Sequence, residues 1–251
     1  MRGSTALAAL LLIGIASCQV FTDGKGLTLK GHSLSFTQSA KTKNRSYDFK
    51  GKVSVVSIEQ GLTLTADVVH VDAVPDPKRP EAYLMKEATA SGNVKVVKTV
   101  KNPDGLQETD VKGSKGHLIS GVEETQVAMA GPVTITSLDQ AKHQTMVANS
   151  DDAVAYFDPT GKATKGNGLR RATLTGSVKI VLHQEKTKDQ AASDVTATSS
   201  KALLQNGVDS RRITLTGNVH VVGVQTGELD HANYVDLVLG RDGYWQMESA
   251  R

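Results

Sequence analysis

The stretch that decides the fold reads Leu215-Thr216-Gly217-Asn218-Val219-His220-Val221, where a glycine interrupts apolar residues at every second position. Four earlier stretches have the same form, and their glycines lie at positions 51, 92, 131 and 176. Together with Gly217, successive glycines are therefore 41, 39, 45 and 41 residues apart. A regular period in this range is typical of a stacked repeat architecture. A stack of β repeats presents a long surface or groove rather than a compact catalytic pocket.

The alternation around each glycine predicts half-buried β-strands. In the fourth copy, Leu174, Val178 and Ile180 fall on one face, whereas Thr175 and Lys179 fall on the other. Period-two alternation with β-branched enrichment indicates a strand that buries one side. Forty residues per copy predict about four short strands per repeat, in two facing sheets that share their apolar side. A glycine within a strand marks a bulge or bend, so glycines in register predict a crease along the stack.

The N-terminus has the pattern of an export signal. Arg2 precedes a short apolar run over residues 5–16, which is too short to span a membrane as a helix. The run ends in Ile15-Ala16-Ser17-Cys18, which resembles the lipobox of bacterial lipoproteins. We therefore predict a signal peptide over residues 1–17 and lipidation of Cys18, with ordinary cleavage after Ala16 or Ser17 as the alternative. Residues 18–25 are then a tether, and residues 26–251 form one β domain.

The single cysteine and the residue that follows the lipobox indicate where in the cell the protein is located. Cys18 is the only cysteine, so no internal disulfide is possible and stability must come from packing and strand pairing. An acylated Cys18 would anchor the chain to a membrane from the periplasmic side. Gln19 follows it instead of an aspartate, which favours the outer membrane by the sorting rule of double-membrane bacteria.

Composition and motifs argue against other functions. The net charge is +3 and the basic residues are dispersed, so we expect no nucleic-acid partner. The sequence has no metalloprotease, nucleophile-elbow, P-loop or Cys-x-x-Cys motif, and its seven histidines have no ligand spacing. We therefore expect no catalytic residue, no metal site, no cofactor and no enzyme activity.

The recurring strand with a central glycine, followed by an A-x-x-A-x-Y/V strand, resembles the OstA-like family. This family comprises the LptA–LptC group of periplasmic lipopolysaccharide-transport proteins. The resemblance covers about residues 26–240 and implies an elongated OstA-like β-jellyroll, a V-shaped β-taco, here built of about five repeats of roughly 40 residues. It implies a groove that holds lipid acyl chains, and units that stack edge to edge from the inner to the outer membrane. The chain departs from the family in having a lipobox where LptC relatives have a spanning helix, and it has more repeats than LptA relatives.

These considerations give one site and one rival interpretation. The predicted function is lipid binding during transport of lipopolysaccharide, or a related lipid, to the outer membrane. Other OstA-like proteins would associate through the edge strands near Leu27 to Phe36 and Leu229 to Leu239. The alternative is a structural or adhesion lipoprotein whose sandwich core is filled by the same side chains. The predicted groove residues are Val53, Val55, Val94, Val96, Val133, Ile135, Val178, Ile180, Val219 and Val221.

Overall fold

The part of the chain that the structure describes folds into a single antiparallel β-sheet. The computed structural model describes residues 19–22, 27–57, 61–102, 105–121, 124–157, 169–188, 191–206, 211–224, 227–239 and 244–251. These residues form 14 strands that all belong to one open sheet, together with one short 3-10 helix. The prediction of an all-β fold is confirmed. Within the described ranges, no helix is long and apolar enough to cross a bilayer. The predicted signal peptide and Cys18 lie outside the described residues.

The strands are long, and several have more than a dozen residues. Their bounds are β1 (Gln19–Thr22), β2 (Leu27–Gly31), β3 (Ser33–Gln38), β4 (Arg45–Ser57), β5 (Leu62–Asp76), β6 (Arg79–Asn102), β7 (Gly105–Ser120), β8 (Thr125–Asp139), β9 (Gln144–Phe157), β10 (Leu169–Gln184), β11 (Ser193–Asn206), β12 (Arg211–Val224), β13 (Gly227–Leu239) and β14 (Trp245–Ala250). The short 3-10 helix, Gln140–Lys142, joins β8 to β9. Gln19–Thr22 fall within the segment expected to be a tether, and they pair with β2.

Strand order in the sheet follows the order along the chain from β4 to β14. At the N-terminal end, β2 pairs with residues 54–57 of β4, and β3 pairs with residues 45–50 of the same strand. The two short strands thus form one line beside β4, interrupted at His32. The backbone N–H of His32 donates to the carbonyl oxygens of Lys50 (3.0 Å) and Gly51 (3.2 Å), which holds the interruption against the bend in β4.

Each of the five repeated glycines lies at a β-bulge. The register shifts at these glycines in β4, β6, β8, β10 and β12. All five have φ between 72° and 84°, and in four of the five the next residue is also left-handed. The exception is Gly131, which is followed by Pro132, whose ring fixes a negative φ. The sequence prediction of a bulge or bend at each glycine is confirmed by these register shifts. Bulges of this kind bend and twist the strand.

The prediction of about four short strands per repeat is wrong. Each spacing of about 40 residues contains two long strands, such as β10 (16 residues) and β11 (14 residues). The reason is that the glycine bends a strand without ending it, so hydrogen bonding resumes within a few residues. Each long strand therefore contributes to both sides of the bend.

The bulge also changes the alternation on the neighbouring strand. In β5, the buried side chains are Leu64 and Ala66 before the bulge, and Val69 and Val71 after it. Two residues of β4 lie opposite the single residue Asp67 of β5 at this point. The positions of β5 whose side chains point inward are therefore displaced by one residue after the bulge. This shift explains the A-x-x-A spacing of the strands that follow the glycine strands.

The line of bulges divides the sheet into two arms, which are named here arm A and arm B. Arm A comprises residues 33–38, 45–50, 68–76, 79–91, 115–120, 125–130, 152–157, 169–175, 201–206, 211–216, 234–239 and 245–250. Arm B comprises residues 19–22, 27–30, 53–57, 62–66, 94–102, 105–113, 133–139, 144–150, 178–184, 193–199, 219–224 and 227–232. The buried apolar residues of both arms form one cluster, so the arms pack against each other through their inner faces.

The crease should be sensitive to any side chain at its glycines. Gly176 has φ +72°, and an added Cβ would lie 2.1 Å from the Oδ2 atom of Asp151 on β9. We expect Gly176→Ala to lower the free energy of unfolding by at least about 1–2 kcal/mol from backbone strain alone. Urea denaturation followed by circular dichroism measures the change.

A double-mutant cycle separates the two contributions. The same Gly176→Ala substitution in an Asp151→Gly background should cost less, because the facing side chain has been removed. If the cost is the same in both backgrounds, the close approach of Asp151 does not contribute.

Candidate functional site

The ten predicted groove residues all lie on the inner face of the sheet. Each is at most 6 % exposed, and all belong to the single buried cluster. All ten follow the glycine of their strand, so they form the wall contributed by arm B. The sequence prediction thus identified one wall of the seam between the arms.

The opposite wall comes from arm A, and none of its residues is among the ten predicted groove residues, although the sequence places Leu174 on the same face as Val178 and Ile180. It contains Leu174 and Leu215, which directly precede the bulges, and alternating residues of the strands between the glycine strands. The signal that could have found it is the alternation before each glycine, together with the shift of one position on the next strand. Its main buried members are Phe49, Val69, Val71, Leu118, Val127, Met129, Leu174, Leu204, Ile213, Leu215, Val235 and Leu237.

Two small cavities lie between the walls. The first has a volume of about 50 Å³ and is lined by Val55, Leu64 and Val96 of arm B and by Val71 and Met129 of arm A, among others. The second has a volume of about 60 Å³ and lies between Ile135 and Leu182 of arm B and Leu204 and Ile213 of arm A. Cavities of this size correspond to a few water molecules. At these two places, the side chains of the walls leave room for water molecules but not for an acyl chain.

Side-chain contacts connect the ends of the two arms that lie away from the crease, and these ends are together called the mouth. Arg211, the first residue of β12 in arm A, donates from Nη2 to the Oδ2 atom of Asp139 in arm B at 2.7 Å. Lys98 of arm B lies over the ring of Phe157 of arm A, with Nζ 5.2 Å from the ring centroid. Asp139, Lys98 and Phe157 are buried, and Arg211 is partly exposed.

These contacts show how the sheet is folded. Three strands, β9 to β11, separate the strands of Asp139 and Arg211 in the sheet. At about 4.8 Å per strand, the two strands are about 19 Å apart measured along the sheet. Their side chains can meet only because arm A lies over arm B. The Lys98–Phe157 contact also joins an arm B strand to an arm A strand further along the chain, so the arms cross obliquely, as sheet twist requires.

The outer face of arm A has a shallow depression of about 630 Å³. His70 lies at its side, with Nδ1 2.8 Å from Oδ1 of Asp48 and Nε2 3.4 Å from Oδ1 of Asp72. The hydrogen bond with Asp48 and the charges of both carboxylates raise the pKa of His70, although partial burial opposes this. His117 makes a similar contact with Glu87, at 2.6 Å.

The raised pKa of His70 gives stability a pH dependence. The folded state holds the His70 proton more tightly than the unfolded state, so this contribution is complete below the unfolded pKa of about 6.5. It is lost as the pH rises through the higher pKa of the folded state. We expect the free energy of unfolding of His70→Gln to lack this decrease with rising pH. The decrease in the unsubstituted protein should be less than about 1 kcal/mol, because the ion pair is partly exposed. Urea denaturation across this pH range measures it, and His231→Gln, at an exposed position, is the control.

A carboxylate network fixes the C-terminal end of the sheet. Asp236 accepts hydrogen bonds from Thr214 (2.6 Å), Tyr234 (2.7 Å) and Arg212 (3.1 Å). Burial alone would raise the pKa of Asp236, but the hydrogen bonds from Thr214 and Tyr234 and the charge of Arg212 lower it below its usual value. The network joins β12 to β13, and Ser249 of β14 also lies 3.4 Å from the carboxylate.

The two ends of arm A differ in how their inner faces are covered. At the N-terminal end, β3 is the edge strand, and Phe36 is 46 % exposed while its ring stacks on Tyr47 at 6.1 Å between centroids. At the C-terminal end, β14 is the edge strand, and Trp245 and Met247 pack against the core cluster. The N-terminal end therefore leaves an aromatic side chain of the seam open to solvent.

Neither a metal site nor a similar known protein is found for this geometry in the described residues or the sequence. No group of three or more histidine, cysteine, aspartate or glutamate side chains in the described ranges is arranged to hold a metal ion. Comparison of the chain with protein-family models, with curated proteins and with solved structures finds no significant match in any of the three.

Proposed function

We propose that this chain is a periplasmic lipid-binding module, a V-shaped OstA-like β-jellyroll that takes part in transport of lipopolysaccharide or a related lipid to the outer membrane. Acyl chains lie between the two arms, and an acylated Cys18 anchors the chain to a membrane. The observation that carries the proposal is the continuous apolar seam between two arms of one open sheet. The strands run from one arm to the other across the crease, whereas side chains join the arms at the mouth.

Lipid binding requires the arms to move apart. The cavities of about 50 and 60 Å³ hold no acyl chain, so an acyl chain must replace contacts between the walls. Each buried methylene contributes about 0.8 kcal/mol, which can compensate for apolar surface exposed when the walls separate. Val, Ile, Leu and Ala dominate both walls, and these side chains suit hydrocarbon without requiring a specific polar partner.

Partners would join the sheet at its ends. Edge strands present unpaired backbone groups that can accept a further strand. The edge at β3 also exposes Phe36 beside the seam, so a second module placed there would extend the apolar surface from one chain to the next. Other OstA-like transport proteins are the proposed partners, and no nucleic acid, cofactor or catalytic step is part of the function.

Mass spectrometry of the purified protein tests the proposal. We expect bound glycolipid or phospholipid after purification in a mild detergent, and uptake of lipid from vesicles that contain lipopolysaccharide. Protein that carries no lipid and takes up none from such vesicles would contradict it.

The second candidate is a structural or adhesion lipoprotein, and the small volume of the cavities favours it. A filled core needs no ligand, and the sheet would then be a rigid spacer. Depletion of the protein in its own cell separates the two functions. Loss of a transport module should cause lipid to accumulate at the inner membrane, whereas loss of a spacer should leave lipid distribution unchanged.

A further inference from the structure

The contact between Arg211 and Asp139 has features that the fold alone does not require. It joins residues 72 positions apart in sequence, from strands that do not pair, at the mouth between the arms. Asp139 is only 3 % exposed, and Arg211 is 27 % exposed. Gln107, beside Asp139 in the sheet register, donates from Nε2 to the same carboxylate oxygen at 3.1 Å. These three residues are called the clasp.

We propose that the clasp is the gate of the groove, and that lipid passes between the arms where Arg211 separates from Asp139. The uptake part of this inference rests on the proposed function, whereas the closing of the mouth does not. Both Asp139 and Arg211 line the cavity of about 60 Å³, so the clasp lies directly at the opening of that cavity. Release of the clasp would therefore expose Ile135 and Ile213, which line the cavity behind it.

The closed clasp contains a buried polar atom that could form a hydrogen bond with water if the mouth opened. The amide of Gln107 is oriented by its hydrogen bond to Asp139, and its Oε1 atom is buried without a hydrogen-bond partner. An unsatisfied buried acceptor opposes the closed state, and water satisfies it once the mouth opens. The ion pair favours closure and the unsatisfied amide opposes it. Such a balance is what a reversible local opening requires, because opening must cost less than global unfolding.

Thiol labelling measures the opening without any lipid. All variants carry Cys18→Ser, which leaves Ile135→Cys behind the clasp as the only thiol. We expect Arg211→Met to raise the iodoacetamide labelling rate of Ile135→Cys at least about tenfold, because a charged hydrogen bond that holds the mouth closed is lost. Arg171→Met is the matched control, since Arg171 pairs with Glu124 at 3.0 Å on the outer face of arm A. It should leave the rate unchanged.

A second thiol position separates local opening from general destabilisation. Val71→Cys lies in the first cavity, which the clasp does not line. Arg211→Met should leave its labelling rate nearly unchanged. Equal rates for Ile135→Cys with and without Arg211→Met would overturn the proposal, and so would an equal rise at both thiol positions.

Transfer of a fluorescent phospholipid from vesicles then tests the uptake part. We expect Arg211→Met to take up lipid faster than the protein with Arg211 intact. If labelling of Ile135→Cys rises but neither protein takes up lipid, the clasp is supported and the proposed lipid-binding function fails. If both proteins take up lipid at the same rate, lipid does not pass through the clasp, and this part of the proposal is wrong.

Discussion

Replacing Ile180 by aspartate is expected to prevent the protein from folding. Ile180 is 0 % exposed, and its neighbours on the adjacent strands are Ala148 and Ala197, which are also buried. An aspartate there loses the burial of an isoleucine, worth about 1.5–3 kcal/mol, and adds an ionised group without a polar partner among these neighbours. Unpaired buried charges cost several kcal/mol, which approaches the total stability of about 5–15 kcal/mol of a typical domain.

Val181→Asp is the matched control, one residue further along the same strand. Val181 points to the outer face, is partly exposed, and has Val147 and Thr196 as its neighbours. We expect Val181→Asp to fold, with a loss of about 1 kcal/mol that reflects β propensity. Circular dichroism and urea denaturation compare the two variants. Equal losses at both positions would mean that the two faces of β10 do not differ, and the seam between the arms would not exist.

The sequence was most informative where the alternation is local. Period two on both sides of Gly176 and Gly217 predicts the strands, their buried face and the bends between their halves, because each feature depends on a few neighbouring residues. The ten predicted groove residues are all buried for the same reason. Strand length was not predicted, because a glycine between two alternating runs is compatible with two strands or with one bent strand. Only pairing with the neighbouring strand decides between them.

Contacts across the mouth could not be predicted in this way. Arg211 begins a strand and Asp139 ends another, and both look like ordinary polar residues at strand termini. Their contact depends on how far one arm is displaced along the other, which follows from the accumulated twist of several strands. The sequence around each residue contains no sign of that displacement. The predicted groove residues include none from the strands between the glycine strands for a related reason, since the shift of alternation on β5 comes from a bulge formed with β4.

Holding the arms together should abolish lipid binding. In a Cys18→Ser background, Asp139→Cys with Arg211→Cys places two thiols on opposite sides of the mouth. The native side chains meet at 2.7 Å because the long Arg211 side chain spans most of the gap between the two backbones. A bismaleimide therefore suits this gap better than a disulfide, which needs closely spaced backbones. We expect the cross-linked protein to retain less than about a tenth of the lipid uptake, since the cavities of about 50 and 60 Å³ between walls that cannot separate are too small for an acyl chain.

The same protein without cross-linker is its own control. It lacks the clasp but keeps both walls, so it should take up lipid at least as fast as protein with Arg211 and Asp139 in place. A bismaleimide attached to only one of the two thiols, identified by mass, controls for the bulk of the reagent. If the cross-linked protein takes up lipid normally, the acyl chains bind outside the seam, on the outer faces or at the sheet edges. The buried side chains of the two walls would then form a permanent core, as expected for a structural lipoprotein.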